Sequence, residues 1–259
     1  MLMITLTSDF GLKDPYVGEM KGVILTLNPK ATIIDITHDI EKFNIRMAAF
    51  ALASAVPYFP KDTVHLAVVD PGVGTERRAI LIQTKRAYFV GPDNGILMLA
   101  AQSQGIESII ELSNPNLMLP HPFNSFHGRD IFAPTAAYAD KGVKISEFGQ
   151  EIKNPAAPNF SEAQQINGAL ISEIIYIDGF GNIVTNITEK NMVNSKIVNL
   201  RFPEVSIKVK FGKTYADAEL NKPIILVGSS GFVEIAINQG NAANKFNAKI
   251  GDKITVTST

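Results

Sequence analysis

The stretch Val69-Asp70-Pro71-Gly72-Val73-Gly74-Thr75-Glu76-Arg77-Arg78 carries the densest set of groups able to do chemistry. An apolar run ends in a carboxylate, a Pro-Gly-x-Gly turn lets backbone approach closely, and two guanidiniums follow. A guanidinium so near a carboxylate would hold and orient it; a surface turn with solvated charges is the plain alternative. The second cluster is Ser125-Phe126-His127-Gly128-Arg129-Asp130, where His127 stands among Gly, Arg and Asp as a site histidine often does. Of the other histidines, His65 reads as a core or sheet residue and His121, between prolines, as exposed. His38 falls in Asp35-Ile36-Thr37-His38-Asp39, a simple turn. Asp9, Asp35 and Asp70 each close a predicted strand. One alone reads as a turn former or helix cap; three in register suggest a rim, since ligands of parallel α/β sheets bind beyond the strands' carboxyl ends.

Several chemistries are absent. The chain has no cysteine, which excludes disulfides, thiolate nucleophiles and Cys-ligated metal centres. No His pair has zinc spacing, and there is no Gly-x-Ser-x-Gly nucleophile elbow or Gly-x-Gly-x-x-Gly fingerprint. Gly212-Lys213-Thr214 has Ile207 where a phosphate-binding loop needs its first glycine. Lys and Arg number 24 against 25 Asp and Glu, with no long run of either sign, so neither nucleic acid nor an anionic membrane is an expected partner. No stretch of about 18 apolar residues occurs, and the carboxylate at Asp9 interrupts any signal-peptide core. The expected setting is the cytoplasm.

The elements that must position these residues follow from pattern. Met3–Thr7, Ile33–Ile36 and Thr63–Val69 read as strands, the last apolar throughout, as strands buried on both faces are. Tyr16–Leu27 has apolar residues at helical spacing, and Asn44–Tyr58 is Ala-rich and helical up to its prolines. Ala79–Gln83 and Ala87–Val90 read as a hairpin-like pair and Ile96–Ala101 as helical. The alternation predicts an α/β N-terminal domain with a mostly parallel sheet over residues 1–155. A polar, proline-containing connection over 156–167 leads to a smaller C-terminal all-β barrel domain over 168–259, with strands at Ala169–Ile177, Ile183–Thr188, Lys196–Leu200, Val205–Phe211, Ile224–Val227, Phe232–Ile237 and Ile254–Thr257. In that module Phe180 beside Asn182 could stack on a base and bond its edge. Equally, Asp178-Gly179 is a hairpin turn and Phe180 core.

Taken in order, Thr7-Ser8-Asp9-Phe10-Gly11, Val69 to Arg78, Pro92-Asp93-Asn94-Gly95, Phe126 to Asp130, Asp178 to Asn182 and Asn238 to Ala243 resemble the motifs of the S-adenosylmethionine hydroxide adenosyltransferases, relatives of fluorinase and chlorinase, along essentially the whole chain. The resemblance implies a homotrimer, with ligand between the N-terminal domain of one subunit and the C-terminal domain of the next. The reaction it implies is displacement at ribose C5′ of S-adenosyl-L-methionine by water or hydroxide, giving adenosine and L-methionine without a metal or cofactor. It places catalysis on Asp70, Arg77 and His127, the ribose grip on Asp9, the methionine ammonium near Asp14 and Asp178, the adenine pocket at Phe180 and Asn182, and Ser229 near methionine and base. Phe126 joins the substrate-binding set. Ser229-Ser230 departs from the Ser-Arg of some halogenating relatives. Three other readings remain: a halide-using synthase, a non-catalytic binder of adenosine or S-adenosylmethionine, and a metal phosphoesterase on Asp9, Asp35, Asp70 and His127.

Overall fold

The computed structural model describes residues 3–157, 163–191 and 197–258. They form two compact units, Met1–Asn159 and Phe160–Thr259. In the first, β1 (Met3–Ser8), α1 (Tyr16–Leu27), β2 (Thr32–Thr37), α2 (Ile45–Ala55), β3 (Thr63–Val68), β4 (Ala79–Thr84), β5 (Ala87–Pro92), α3 (Met98–Ser103), β6 (Ile106–Leu112), α4 (Ala133–Asp140) and β7 (Gly149–Glu151) succeed one another. The sheet order is β2-β1-β3-β5-β4-β6-β7. Strands β2, β1, β3 and β5 run parallel, β4 is antiparallel to both β5 and β6, and β7 is antiparallel to β6. The expected hairpin-like pair is therefore real, and β4 and β7 are the strands that run against the rest.

Side chains alternate across β3 as strand geometry requires. Val64, Leu66 and Val68 pack with Met20 and Ile24 of α1 and Ala136 of α4, while Ala67 and the following Val69 pack with Leu52 of α2 and Ala100 of α3. Helices on both faces explain why Thr63–Val68 is buried throughout. Helix α2 starts where Asn44 caps it, its side chain accepting from Met47 N–H at 2.9 Å. It ends at Ala55 in a short 3₁₀ turn over Val56–Tyr58, earlier than its prolines alone suggest. His65 is buried in the sheet, 2.8 Å from Thr5 Oγ1 and stacked on Phe89. Burial pushes its imidazole down to about 4.

In the second unit, β8 (Gln164–Ile166), β9 (Ala169–Ile177), β10 (Ile183–Thr188), β11 (Ile197–Arg201), β12 (Ser206–Phe211), β13 (Pro223–Val227), β14 (Phe232–Ile237), α5 (Ala242–Phe246) and β15 (Lys253–Ser258) follow. The ring β10-β14-β13-β12-β11-β15-β9 closes through the β9–β10 pairing, a seven-stranded barrel with β8 added on β9. Strand β8 lies inside 156–167, the stretch read from sequence as a connection. Lys196, the expected start of β11, lies outside the described residues. Helix α5 joins the barrel's core, Phe246 stacking on Phe202 with centroids 4.8 Å apart.

Candidate active site

Strand β3 carries the chain to Asp70 at the sheet's carboxyl edge. Asn94 fixes the approach, donating its side-chain N–H to Val69 O at 2.9 Å. Gly91 on the neighbouring strand has no room for a Cβ, which would sit 2.4 Å from Ala67 O. Past Asp70 the chain turns tightly, with Val73 N–H bonded to Asp70 O and Thr75 N–H to Gly72 O. Gly74 has φ +77°, and a Cβ there would lie 2.6 Å from Asn124 O. Only glycine lets this loop press against the segment before His127.

The turn brings Arg77 back onto Asp70. Arg77 Nε lies 3.0 Å from each carboxylate oxygen, and Nη2 also donates to Asp70 Oδ2. The same Nη2 lies 2.8 Å from His127 Nδ1, and the guanidinium sits over the Phe132 ring at 5.3 Å. A guanidinium has no acceptor, so His127 Nδ1 accepts and the imidazole proton is on Nε2. Burial and then Arg77 hold His127 below its ordinary value, with Asp70 and Asp130 pulling the other way. His127 leads into a π-helical turn over Gly128–Phe132 that runs on into α4.

Arg78 has a different role. It grips the buried Asp93 through Nε at 2.8 Å and Asn154 Oδ1 through Nη1 at 3.0 Å, while Asp93 Oδ1 accepts Ala156 N–H. The Pro92-Asp93-Asn94-Gly95 motif is thus a brace beneath Asp70.

A cleft of about 680 Å³ opens above these residues, and Asp9, Asp70, Phe126 and His127 all line it. Asp9 closes β1, and its Oδ2 accepts Phe43 N–H at 2.9 Å. Phe126 packs edge-on to Phe10 and Tyr16, with centroids 5.8 and 5.2 Å away. Glu19, Lys42, Phe43 and Arg129, not singled out by the sequence pattern, also line the cleft. Arg129 bonds Glu19 at 2.7 Å and lies over Phe126 at 5.1 Å. Its place beside His127 was the available signal; Lys42 and Phe43 had none locally.

Other expectations need correction. Asp35 sits within β2, where Lys21 Nζ bonds it at 2.6 Å, and it is not on the cleft rim. Burial pushes its carboxyl up, but Lys21 and His38 outweigh that and hold it below the usual range. The four-residue metal set including Asp35 is therefore not assembled, and among the described residues no three His, Cys, Asp or Glu side chains cluster to hold a metal ion. His38 is not a simple turn residue but buried, with Nδ1 2.7 Å from Ser8 Oγ. Asp14 is exposed ahead of α1 and does not line the cleft.

In the barrel unit, Asp178 Oδ1 accepts the N–H groups of Phe180 and Asn182, and Asn182 Nδ2 donates to Asp178 Oδ2 at 2.9 Å. Phe180 is 81% exposed, so the core reading fails, while Asn182 is buried. The turn orients an open aromatic ring beside a held amide. Ser229 is exposed in the β13–β14 connection.

The models for the SAM hydroxide adenosyltransferase N-terminal and C-terminal domains match residues 4–149 and 172–255. The chain is 39% identical to "(R)-S-adenosyl-L-methionine hydrolase" of Methanocaldococcus jannaschii, covering 98% of this chain and 95% of that protein. It superposes on the crystal structure of an uncharacterized conserved protein from Thermotoga maritima with a TM-score of 0.92 at 40% identity, covering 98% of this chain and 100% of that one. A fluorinase of an Actinoplanes species is more distant, 25% identical over 98% of this chain and 97% of that protein.

Proposed function

The chain belongs to the SAM hydroxide adenosyltransferase family, and from that premise we propose that it hydrolyses S-adenosyl-L-methionine by attack of a water oxygen at ribose C5′. The observation that carries this reading is that Arg77, itself not a lining residue, holds both Asp70 and His127, which line the cleft. Ribose or adenine recognition has no need of such a set.

The chemistry asks for placement above all. The O–C5′ bond forms as the C5′–S bond breaks, and its electron pair neutralises the sulfonium. The leaving thioether therefore needs neither acid nor metal, and no cofactor is part of this proposal. Sulfonium and water give adenosine, methionine and one proton. Holding the oxygen in line with the C5′–S bond is worth up to about 7–11 kcal/mol of barrier. Arg77 occupies His127 Nδ1, so His127 presents Nε2–H as a donor to the nucleophilic oxygen. Asp70 is the acceptor that remains for the oxygen's proton, which then passes to solvent. Arg77 holds both partners in place and favours the negative charge that develops there.

Asp9 grips the ribose hydroxyls in this reading and Phe126 packs against the substrate, both from within the cleft. Asp178, Phe180, Asn182 and Ser229 complete the substrate-binding set, with Phe180 and Asn182 on adenine. Asp178 is the proposed partner for the methionine ammonium, together with Asp14, whose side chain lies outside the cleft lining and would have to reach it from the exposed segment ahead of α1. A homotrimer is part of the same proposal, readable as three subunit masses by light scattering. No helix among the described residues is long and apolar enough to cross a membrane; the cytoplasm is the proposed setting, with no nucleic-acid or membrane partner.

The halide-using alternative is less well supported, because the relatives named as hydrolases are 33–39% identical to this chain and the fluorinases 23–25%. The test is to incubate chelator-treated protein with the (R) and (S) forms of S-adenosyl-L-methionine, with and without chloride or fluoride, and identify products by mass. Adenosine and methionine, unchanged by halide, are expected, and the (R) form named in the Methanocaldococcus relative is the first to try. A 5′-haloadenosine would assign a synthase; intact substrate that binds would assign a non-catalytic protein.

A further inference from the structure

We infer that His38, which does not line the cleft, is a positioning residue for Asp9 and so sets how tightly the ribose hydroxyls are gripped. The inference rests on the ribose role given to Asp9 above. His38 is 4% exposed and takes no part in the chemistry. Its contacts converge on residues 8–11. Nδ1 lies 2.7 Å from Ser8 Oγ, and that oxygen accepts Phe10 N–H at 3.3 Å. The backbone carbonyl of His38 accepts Gly11 N–H at 2.8 Å. One residue thus braces the chain on both sides of Asp9.

The far side of the ring is anchored in turn. His38 Nε2 is 3.2 Å from Asp35 Oδ1, a close contact without hydrogen-bond alignment, and Asp35 Oδ2 is held by Lys21 of α1. A proton on Nε2 faces the Asp35 carboxylate, so Nδ1 accepts and the Ser8 hydroxyl donates. In this relay Ser8 donates to His38, and Lys21 and His38 Nε2 both face the Asp35 carboxylate, so the corner is tied through Asp35 to α1. Further along the same segment, Lys42 Nζ donates to Asp9 O and Phe43 N–H to Asp9 Oδ2. Asp9 Oδ1 carries no hydrogen bond to the described residues and can turn to a diol. Held this way, the carboxylate loses little freedom when hydroxyls arrive, which is how preorganisation raises affinity.

The test compares adenosine with 2′,3′-dideoxyadenosine by titration calorimetry on the full chain. Wild-type protein should prefer adenosine, and Asp9→Asn should abolish the preference. His38→Ala should cut it about ten-fold, the weight of one charge-assisted hydrogen bond, while leaving dideoxyadenosine affinity unchanged. His38→Asn, whose amide reaches the Nδ1 position, should restore much of it, and Asp9→Asn/His38→Ala should match Asp9→Asn alone. Equal weakening of both ligands by His38→Ala, or no effect on either, would overturn the inference. Should His38→Ala fail to fold, Ser8→Ala reads the same relay: a reduced preference supports it and a full one overturns it. A preference that survives Asp9→Asn, or is missing from the wild type, removes the ribose reading itself.

Discussion

Arg77 Nη2 stands 2.8 Å from His127 Nδ1 while the same guanidinium brackets both oxygens of Asp70. Because arginine only donates, this contact decides the histidine's tautomer and makes its free edge an N–H. The division of labour follows: His127 orients an oxygen, Asp70 accepts a proton, and Arg77 holds their spacing.

Replacing Arg77 tests that division. Arg77→Lys keeps the charge but loses the fork that reaches Asp70 and His127 together. Steady-state kinetics should show kcat down by about 10²-fold, comparable to losing one oriented charge-stabilising group, with KM nearly unchanged. Asp70→Asn should do the same. Near-full kcat in both variants, with substrate still bound, would take these residues out of the chemistry.

The pH profile should carry the mark of a depressed imidazole. His127 is held below the ordinary value of 6.5, so at that pH most of it is already neutral and available to Arg77. Acidification charges it only below that point, where the Arg77 contact turns repulsive. The acid limb of kcat/KM assigned to His127 should therefore lie below pH 6.5 and disappear in His127→Gln. A limb at or above 6.5 that depends on His127 would contradict the assigned tautomer.

Gly74 couples the two loops of the site. Gly74→Ala should cost about 1–2 kcal/mol for the left-handed backbone, plus the clash with Asn124 O, and should lower kcat by displacing Arg77 from His127. Gly142, at φ +83° with open space around it, is the control. Gly142→Ala should lose comparable backbone energy in urea unfolding and keep full turnover. Equal kcat in the two variants would mean that the close approach at Gly74 does not position the site.

His65 should make stability pH-dependent. Its folded-state value of about 4 lies below the ordinary 6.5, so the unfolded chain binds the extra proton between those values. Its stabilising contribution is complete above pH 6.5 and is lost as pH falls toward 4, by up to about 3 kcal/mol. Urea unfolding at pH 7.5 and 4.5 should show a smaller loss in His65→Gln than in wild type. Equal losses would remove His65 as the source.

What the sequence could reveal followed from local physics. Strands β1 to β5 and helices α1 and α2 announce themselves by period or by unbroken apolarity, and each has a capping or breaking residue at an end. Helix α4 stayed hidden because Ala133, Pro134, Thr135, Ala136 and Ala137 are all buried, leaving no polar face to show a helical stripe. Strand β6 was not read because Ile106-Glu107-Ser108-Ile109-Ile110-Glu111-Leu112 does not alternate cleanly. Asp70, Arg77 and His127 were legible as clusters, but the contact that orders them spans fifty residues. His38 and Asp35 were misread for the same reason: Lys21 and Ser8, which give them their roles, are distant in sequence.

In the proposed reaction the Asp70–Arg77–His127 set delivers a water oxygen to C5′. Incubating chelator-treated protein with S-adenosyl-L-methionine in ¹⁸O-water, then weighing the products, tests it most directly. Adenosine with one ¹⁸O at its 5′-hydroxyl beside unlabelled methionine is expected, sharply reduced in Asp70→Asn and Arg77→Lys. Unlabelled adenosine, label on methionine, or undiminished labelled product from both variants would contradict it.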